Sequence, residues 1–225
     1  MRRLVRDLSS VLIISGSLLV VDAGVTLIWQ EPLSALIGVI RRNEIDKRYL
    51  SFHNAPLSLQ DQQALQSLRT AKQRVSYLAR RERHQLAAGD AIGRIVISSI
   101  GTSFEVVQGT DTLSLQKGPG HYSATALPGL DETVAIAGHR TTYLAPFRHI
   151  DALHPGDPIV LKMPYGEFTY VVQYKQIVLP TALWITHNVG YDRLVLSACN
   201  PLYSAAQRLI VFARLRQLVP LAAAA

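Results

Sequence analysis

The chain has one cysteine in 225 residues. That excludes an intramolecular disulfide, and it excludes a thiolate zinc cluster, which needs several sulfur ligands at short spacing. The seven histidines, at 53, 84, 121, 139, 149, 154 and 187, contain no His-Glu-x-x-His pair. Nothing in the sequence therefore points to a catalytic metal. Charged residues are few, at 17%, against 48% hydrophobic residues, so the chain is not disordered throughout. No internal repeat stands out. What remains is one substantial core plus accessory segments.

Net charge is +7 and uneven. Residues 1–40 hold three basic and three acidic side chains, residues 41–94 eleven and five, and residues 95–225 nine and eight. The excess sits in one middle segment. A basic helical segment can bind nucleic acid, but beside a membrane anchor it fits anionic lipid heads or cell-wall polyanions better. No nucleic-acid partner is expected.

The one long hydrophobic run lies at the start. Residues 8–29 are mostly apolar. As a helix they span roughly 33 Å, enough for a bilayer core of about 30 Å. Arg2, Arg3 and Arg6 precede the run. The positive-inside rule then keeps the N-terminus cytoplasmic and sends the rest outside. Trp29 suits the outer interface. Asp22 is the blemish, a costly carboxylate that is either protonated or paired with a partner helix. A cleaved signal peptide is the alternative, but no clear small-x-small site follows the run. The expected division is a cytoplasmic tip and transmembrane helix over 1–30, a basic helical stalk over 31–90, a β-domain over 91–219 and a tail over 220–225.

Within the stalk, residues 33–50 read as a short amphipathic helix, broken at Asn54-Ala55-Pro56. Ser58 then suits an N-cap, with Asp61 in the first turn. Leu65, Leu68, Lys72, Val75 and Leu78 recur at helical spacing, which predicts one helix to about residue 88, ended by Gly89-Asp90. This is a spacer that packs one narrow face on the next domain. From residue 91 the pattern changes to period two. Strands are expected at 93–97, 103–109, 134–137, 158–163, 168–174, 194–198 and 209–215, punctuated by Gly and Pro. That is an all-β barrel or sandwich.

Three residues carry candidate chemistry. Cys199 ends the apolar run Leu194-Val195-Leu196-Ser197-Ala198 and is followed by Asn200-Pro201. His139 follows Ala135-Ile136-Ala137-Gly138, and Arg208 opens Leu209-Ile210-Val211. A thiol, an imidazole and a guanidinium at the edges of apolar runs are the parts of a cysteine acyl-transfer site. A hairpin would bring Cys199 and Arg208 to one sheet end. Arg140 reads as a solvated or structural charge.

The segments Gln116-Lys117-Gly118-Pro119-Gly120-His121-Tyr122, Ala126-Leu127-Pro128-Gly129, Ala137-Gly138-His139-Arg140-Thr141-Thr142-Tyr143 and Leu196-Ser197-Ala198-Cys199-Asn200-Pro201, in this order, resemble the sortases. These are membrane-anchored cysteine transpeptidases of Gram-positive bacteria, and the segments look most like class E of the actinobacteria. The resemblance covers roughly 91–219. It implies a closed β-barrel of about eight strands that cleaves an LAxTG- or LPxTG-type signal between Thr and Gly. The acyl group then passes to the amine of a peptidoglycan precursor. Its implied partners are secreted proteins with a C-terminal sorting signal, and it needs no cofactor. Cys199 would attack the threonine carbonyl, His139 would protonate the departing glycine amine, and Arg208 would donate to the oxyanion or the substrate backbone. His121, Tyr122 and Tyr143 would line the substrate groove, or His121 and Tyr122 merely close a Gly-Pro-Gly turn. Ala198 departs from the threonine usual before the cysteine, which keeps the backbone path and loses a hydroxyl. Two rivals remain in view. A peptidoglycan-stem L,D-transpeptidase would require a His-Gly or Ser-His-Gly-Cys context, which is absent. A catalytically inactive, membrane-tethered β-domain would bind cell-wall polymer through 41–94.

Overall fold

The computed structural model describes residues 2–29, 34, 36–40 and 57–221. The first helix, α1, runs over Arg2–Trp29. Its stretch Arg6–Val25 has a mean hydropathy of 2.0 with none of it buried, which is long and apolar enough to cross a membrane. Of the expected helix over 33–50, residues 34 and 36–40 are helical. The remainder, the break at 54–56 and the tail after 221 lie outside the described residues.

The expected single helix from Ser58 is two helices, α2 (Leu59–Ser67) and α3 (Ala71–Gln85). Ser58 caps α2, its hydroxyl accepting from the Asp61 amide. The break at 68–70 has a local cause. Thr70 accepts from the Gln73 amide while the Gln73 side chain accepts from the Thr70 amide, a capping box that starts a new helix. Asp61 joins the pair, accepting from Tyr77 Oη at 2.9 Å and Arg81 Nε at 2.8 Å.

Period two then takes over. The strands are β1 (Ala91–Ile97), β2 (Thr102–Gln108), β3 (Gly120–His121), β4 (Thr133–Gly138), β5 (Pro158–Met163), β6 (Gly166–Val178), β7 (Arg193–Asn200) and β8 (Gln207–Pro220). They close into a barrel in the order β1-β2-β3-β4-β7-β8-β6-β5. β2 with β3 and β4 with β7 pair in parallel, and the other neighbours are antiparallel. The barrel interior is filled by alternate residues of each strand, among them Ile95, Ile136, Leu161, Phe168, Leu196 and Val211. The two-residue β3 is too short to carry a periodicity, which is why pattern reading missed it.

α3 shares this core. Val75, Leu78 and Ala79 belong to the same buried cluster as the barrel. Burying Val75 and Leu78 contributes about 2 kcal/mol each. The approach is close: a Cβ on Gly129 would stand 2.7 Å from Val75 Cγ1, and Ser76 Oγ donates to the Gly129 carbonyl at 2.7 Å. Glu82 rides on the same face at 4% exposure.

Candidate active site

Strand alternation sorts the residues of β7. Leu194, Leu196 and Ala198 face the barrel core, so Val195, Ser197 and Cys199 face outward. On β8, Leu209 and Val211 face in, while Arg208, Ile210 and Phe212 face out. The antiparallel register sets Cys199 directly opposite Arg208. β4 runs parallel on the other side of β7, with Gly138 opposite Ala198, so His139 is the next residue along. A cleft of about 190 Å³ at this sheet end is lined by His139, Cys199, Arg208, Tyr122 and Ala198, with Thr110 and Leu115 among the other lining residues. Ala198 borders it while its methyl group belongs to the barrel core.

The chain around His139 is held tightly. A Cβ on Gly138 would stand 2.4 Å from Phe147 Cδ2, so only glycine lets Phe147 pack onto the strand end. The Phe147 amide donates to the His139 carbonyl at 3.0 Å. Tyr143 packs beside the imidazole, ring centroids 5.3 Å apart. Tyr143, Leu144 and Ala145 all have positive φ, at 49°, 64° and 41°. Each costs about 1–2 kcal/mol against an ordinary conformation, so the packing around them over-determines this loop. Burial holds the His139 imidazole below its usual range, which favours the neutral ring at neutral pH.

Cys199 is half-buried and free. Arg208 Nη1 donates to the Ala205 and Gln207 carbonyls, each at 2.9 Å, which fixes the guanidinium over the β7–β8 loop. Its remaining N–H groups lie on other nitrogens. The loop is fastened further by Tyr203, which receives a hydrogen bond from Arg148 Nη2 at 3.1 Å.

The other expected site residues separate. Tyr122 and Ala198 line the cleft and Tyr143 flanks His139. His121 is 1% exposed and does not line the cleft. Its Nε2 lies 2.9 Å from the Ala126 carbonyl oxygen and 3.1 Å from Thr125 Oγ1, and its Nδ1 lies 2.8 Å from Gln108 Oε1. Burial pushes this ring down to about 4, so it is a neutral structural group. Two residues escaped the sequence reading. Thr110 and Leu115 reach the cleft from the loop after β2 and from the four-residue helix α4 (Thr112–Leu115), which no local pattern connects to Cys199. Of the two readings of Arg140, the structural one holds, because the side chain is buried at 3% exposure. Among the described residues, no group of three or more His, Cys, Asp or Glu side chains is placed to hold a metal ion.

Residues 95–216 match the family model described as a sortase domain. Sortase D of Bacillus subtilis (strain 168) is 33% identical over 130 residues, covering 56% of this chain and 64% of that protein. Sortase E1 of Streptomyces coelicolor is 31% identical over 110 residues, covering 43% of this chain and 31% of that protein. The chain thus spans less than two thirds of the length of these relatives. The crystal structure of the Streptomyces coelicolor enzyme, with a tripeptide in its active site, superposes with a TM-score of 0.57 at 26% identity, covering 60% of this chain and 93% of that one. Sortase E of Streptomyces avermitilis superposes with a TM-score of 0.53 at 34% identity, covering 60% and 93%. With its family match spanning more than half the chain, its eight-stranded closed barrel and its class E-like relatives, this chain belongs to the sortase family.

Proposed function

We propose that this chain is a membrane-anchored cysteine transpeptidase. It cleaves an LAxTG- or LPxTG-type sorting signal between Thr and Gly and joins the new acyl group to a cell-wall precursor amine. One observation carries the reading: Cys199 and Arg208 face each other across one outward ladder position, in a cleft that His139 also lines. The tripeptide held by the Streptomyces coelicolor relative supports a peptide substrate.

The steps follow from the groups present. Neutral His139 takes the proton of the Cys199 thiol as sulfur attacks the threonine carbonyl. Free N–H groups of Arg208 stabilise the oxyanion. The C–N bond breaks as the imidazolium returns its proton to the glycine amine, leaving a thioester. An incoming amine gives a proton to His139 and attacks the thioester, and the thiol is released. Tyr122, Tyr143 and Ala198 form or flank the peptide groove, and His121 supports its wall from beneath. The chain works as a single-pass protein held by residues 8–29, with the N-terminus cytoplasmic and the catalytic domain outside. Its partners are secreted proteins bearing the signal and a peptidoglycan precursor amine.

The test is direct. Full-length protein in detergent, wild type and Cys199→Ala, is incubated with LAxTG and LPxTG peptides plus diaminopimelate or glycine amide, and products are weighed. Thr–Gly cleavage with ligation in the wild type alone is expected. No product from folded wild type would overturn the reading in favour of an inactive, wall-binding β-domain.

A further inference from the structure

We propose that Arg140 is a positioning residue that holds the backbone of Cys199 in its reactive place. The proposal rests on the reading of Cys199 as the nucleophile. The ladder between β4 and β7 ends at Gly138 and Ala198, one residue short of Cys199. Beyond that point β7 has lost its neighbour on the β4 side. Arg140, two residues past the end of β4, supplies the missing donor. Its Nη1 donates to the Cys199 carbonyl at 3.3 Å and to Asn200 Oδ1 at 3.3 Å. Its Nη2 pairs with Asp151 Oδ1 at 2.9 Å. Asp151 is anchored in turn, its carbonyl accepting from Lys175 Nζ on β6 at 2.5 Å.

One buried guanidinium therefore ties four parts of the fold together: the loop carrying His139, the end of β7, the turn at 150–152 and β6. A buried cation is costly to desolvate, and it persists where several acceptors meet it. The planar fork spreads its donors over separate nitrogens, so Nη1 meets the β7 acceptors while Nη2 meets Asp151, whereas an ammonium carries its three donors on one nitrogen. Since Arg140 directly follows His139 and grips the carbonyl of Cys199, it couples the imidazole's loop to the thiol's strand. Turnover is sensitive to that spacing: a misplacement of about 1 Å costs about 100-fold in rate. Arg140 does not touch the reacting atoms and acts through Cys199.

The experiment measures kcat and KM for peptide cleavage by the full-length chain carrying Arg140→Lys or Arg140→Met, alongside thermal melting. The expected result is a fall in kcat of about tenfold or more, KM within about threefold, and a folded protein, with Met no better than Lys. A folded variant with wild-type kcat, or a loss confined to KM, overturns the proposal. If neither variant folds, Asp151→Ala carries the test, because the exposed Asp151 side chain holds only the far end of the fork and alanine removes its acceptor. A kcat lowered about threefold at unchanged KM and melting temperature supports the proposal, and an unchanged kcat overturns it. Cys199→Ala is run in parallel. Turnover persisting there sinks the nucleophile assignment itself, whereas its absence with unaffected Arg140 variants sinks the positioning role alone.

Discussion

At the start of β4 and β7 the barrel is closed by α3, whereas at the end of the same two strands it opens into the cleft. The closed end buries Val75, Leu78 and Ala79 against the barrel and forces Glu82 inside with them. Burial pushes the Glu82 carboxyl up to about 8, so it stays protonated at neutral pH. The open end leaves Cys199, His139 and Arg208 half-buried. There, partial burial keeps His139 neutral without removing it from the cleft. Both groups are thus neutral for one reason, burial that disfavours the charged form, and the shifts differ in sign because Glu82 on α3 is an acid and His139 after β4 is a base. At one end a carboxyl is kept from ionising by packing, and at the other an imidazole is kept ready to accept a proton.

The comparison can be broken from the open end first. Cys199→Ala is expected to lower turnover by about 10³-fold or more while leaving the melting temperature unchanged, because the side chain contributes little to the core. A product assay beside a thermal melt checks both halves. The closed end should answer the other way. A chain beginning at residue 91 lacks Val75 and Leu78 and is expected to be about 4 kcal/mol less stable than one beginning at residue 57. Urea unfolding of the two compares them. If the shorter chain is equally stable and active, the helices are a spacer after all.

Two buried groups sharpen the contrast through pH. Glu82 in the folded protein sits near 8 against an ordinary value of 4.5. The folded state therefore binds the extra proton, and stability falls as pH rises from 4.5 toward 8. Glu82→Gln is expected to be about 3 kcal/mol more stable than wild type at pH 7 and equal to it at pH 4, read from denaturant midpoints. His121 has the reverse sign. Its folded value near 4 lies below the ordinary 6.5, so the unfolded state takes up the proton first. Stability should drop by about 2 kcal/mol between pH 7 and pH 5, and His121→Gln should remove that dependence. The smallest expected effect concerns His139. Because burial lowers it, the acid limb of the kcat/KM profile should fall below pH 6.5, and a limb above that value would contradict the neutral-base role.

Much of this was legible in the chain because it is local. The capping residue Ser58, the change from period 3.6 to period two near residue 91 and the bounds of β5 all follow from neighbours in sequence. The single helix expected from Ser58 failed on an equally local signal, the Thr70–Gln73 box, which the apolar spacing overrode in the reading. The candidate site was legible in part. Cys199 ends one apolar run and Arg208 opens the next, and a hairpin between them is the shortest connection available. His121 shows the opposite case. Its segment resembles a groove, yet Gln108, Thr125 and Ala126 enclose it, and those contacts come from pairings that no periodicity encodes.

By itself the sequence determined the membrane-compatible helix, the β-class of the second half and the identities of the thiol, imidazole and guanidinium, because hydropathy period and side-chain chemistry are properties of single segments. Only the tertiary structure decided that Cys199 faces Arg208 in register, that Thr110 and Leu115 reach the same cleft, and that α3 closes the far end of the barrel. It alone also decided that Arg140 is buried behind the cysteine rather than solvated. The reason is physical. Register and burial depend on which distant segments meet, and the free energy of that meeting belongs to the closed barrel as a whole rather than to any stretch of it.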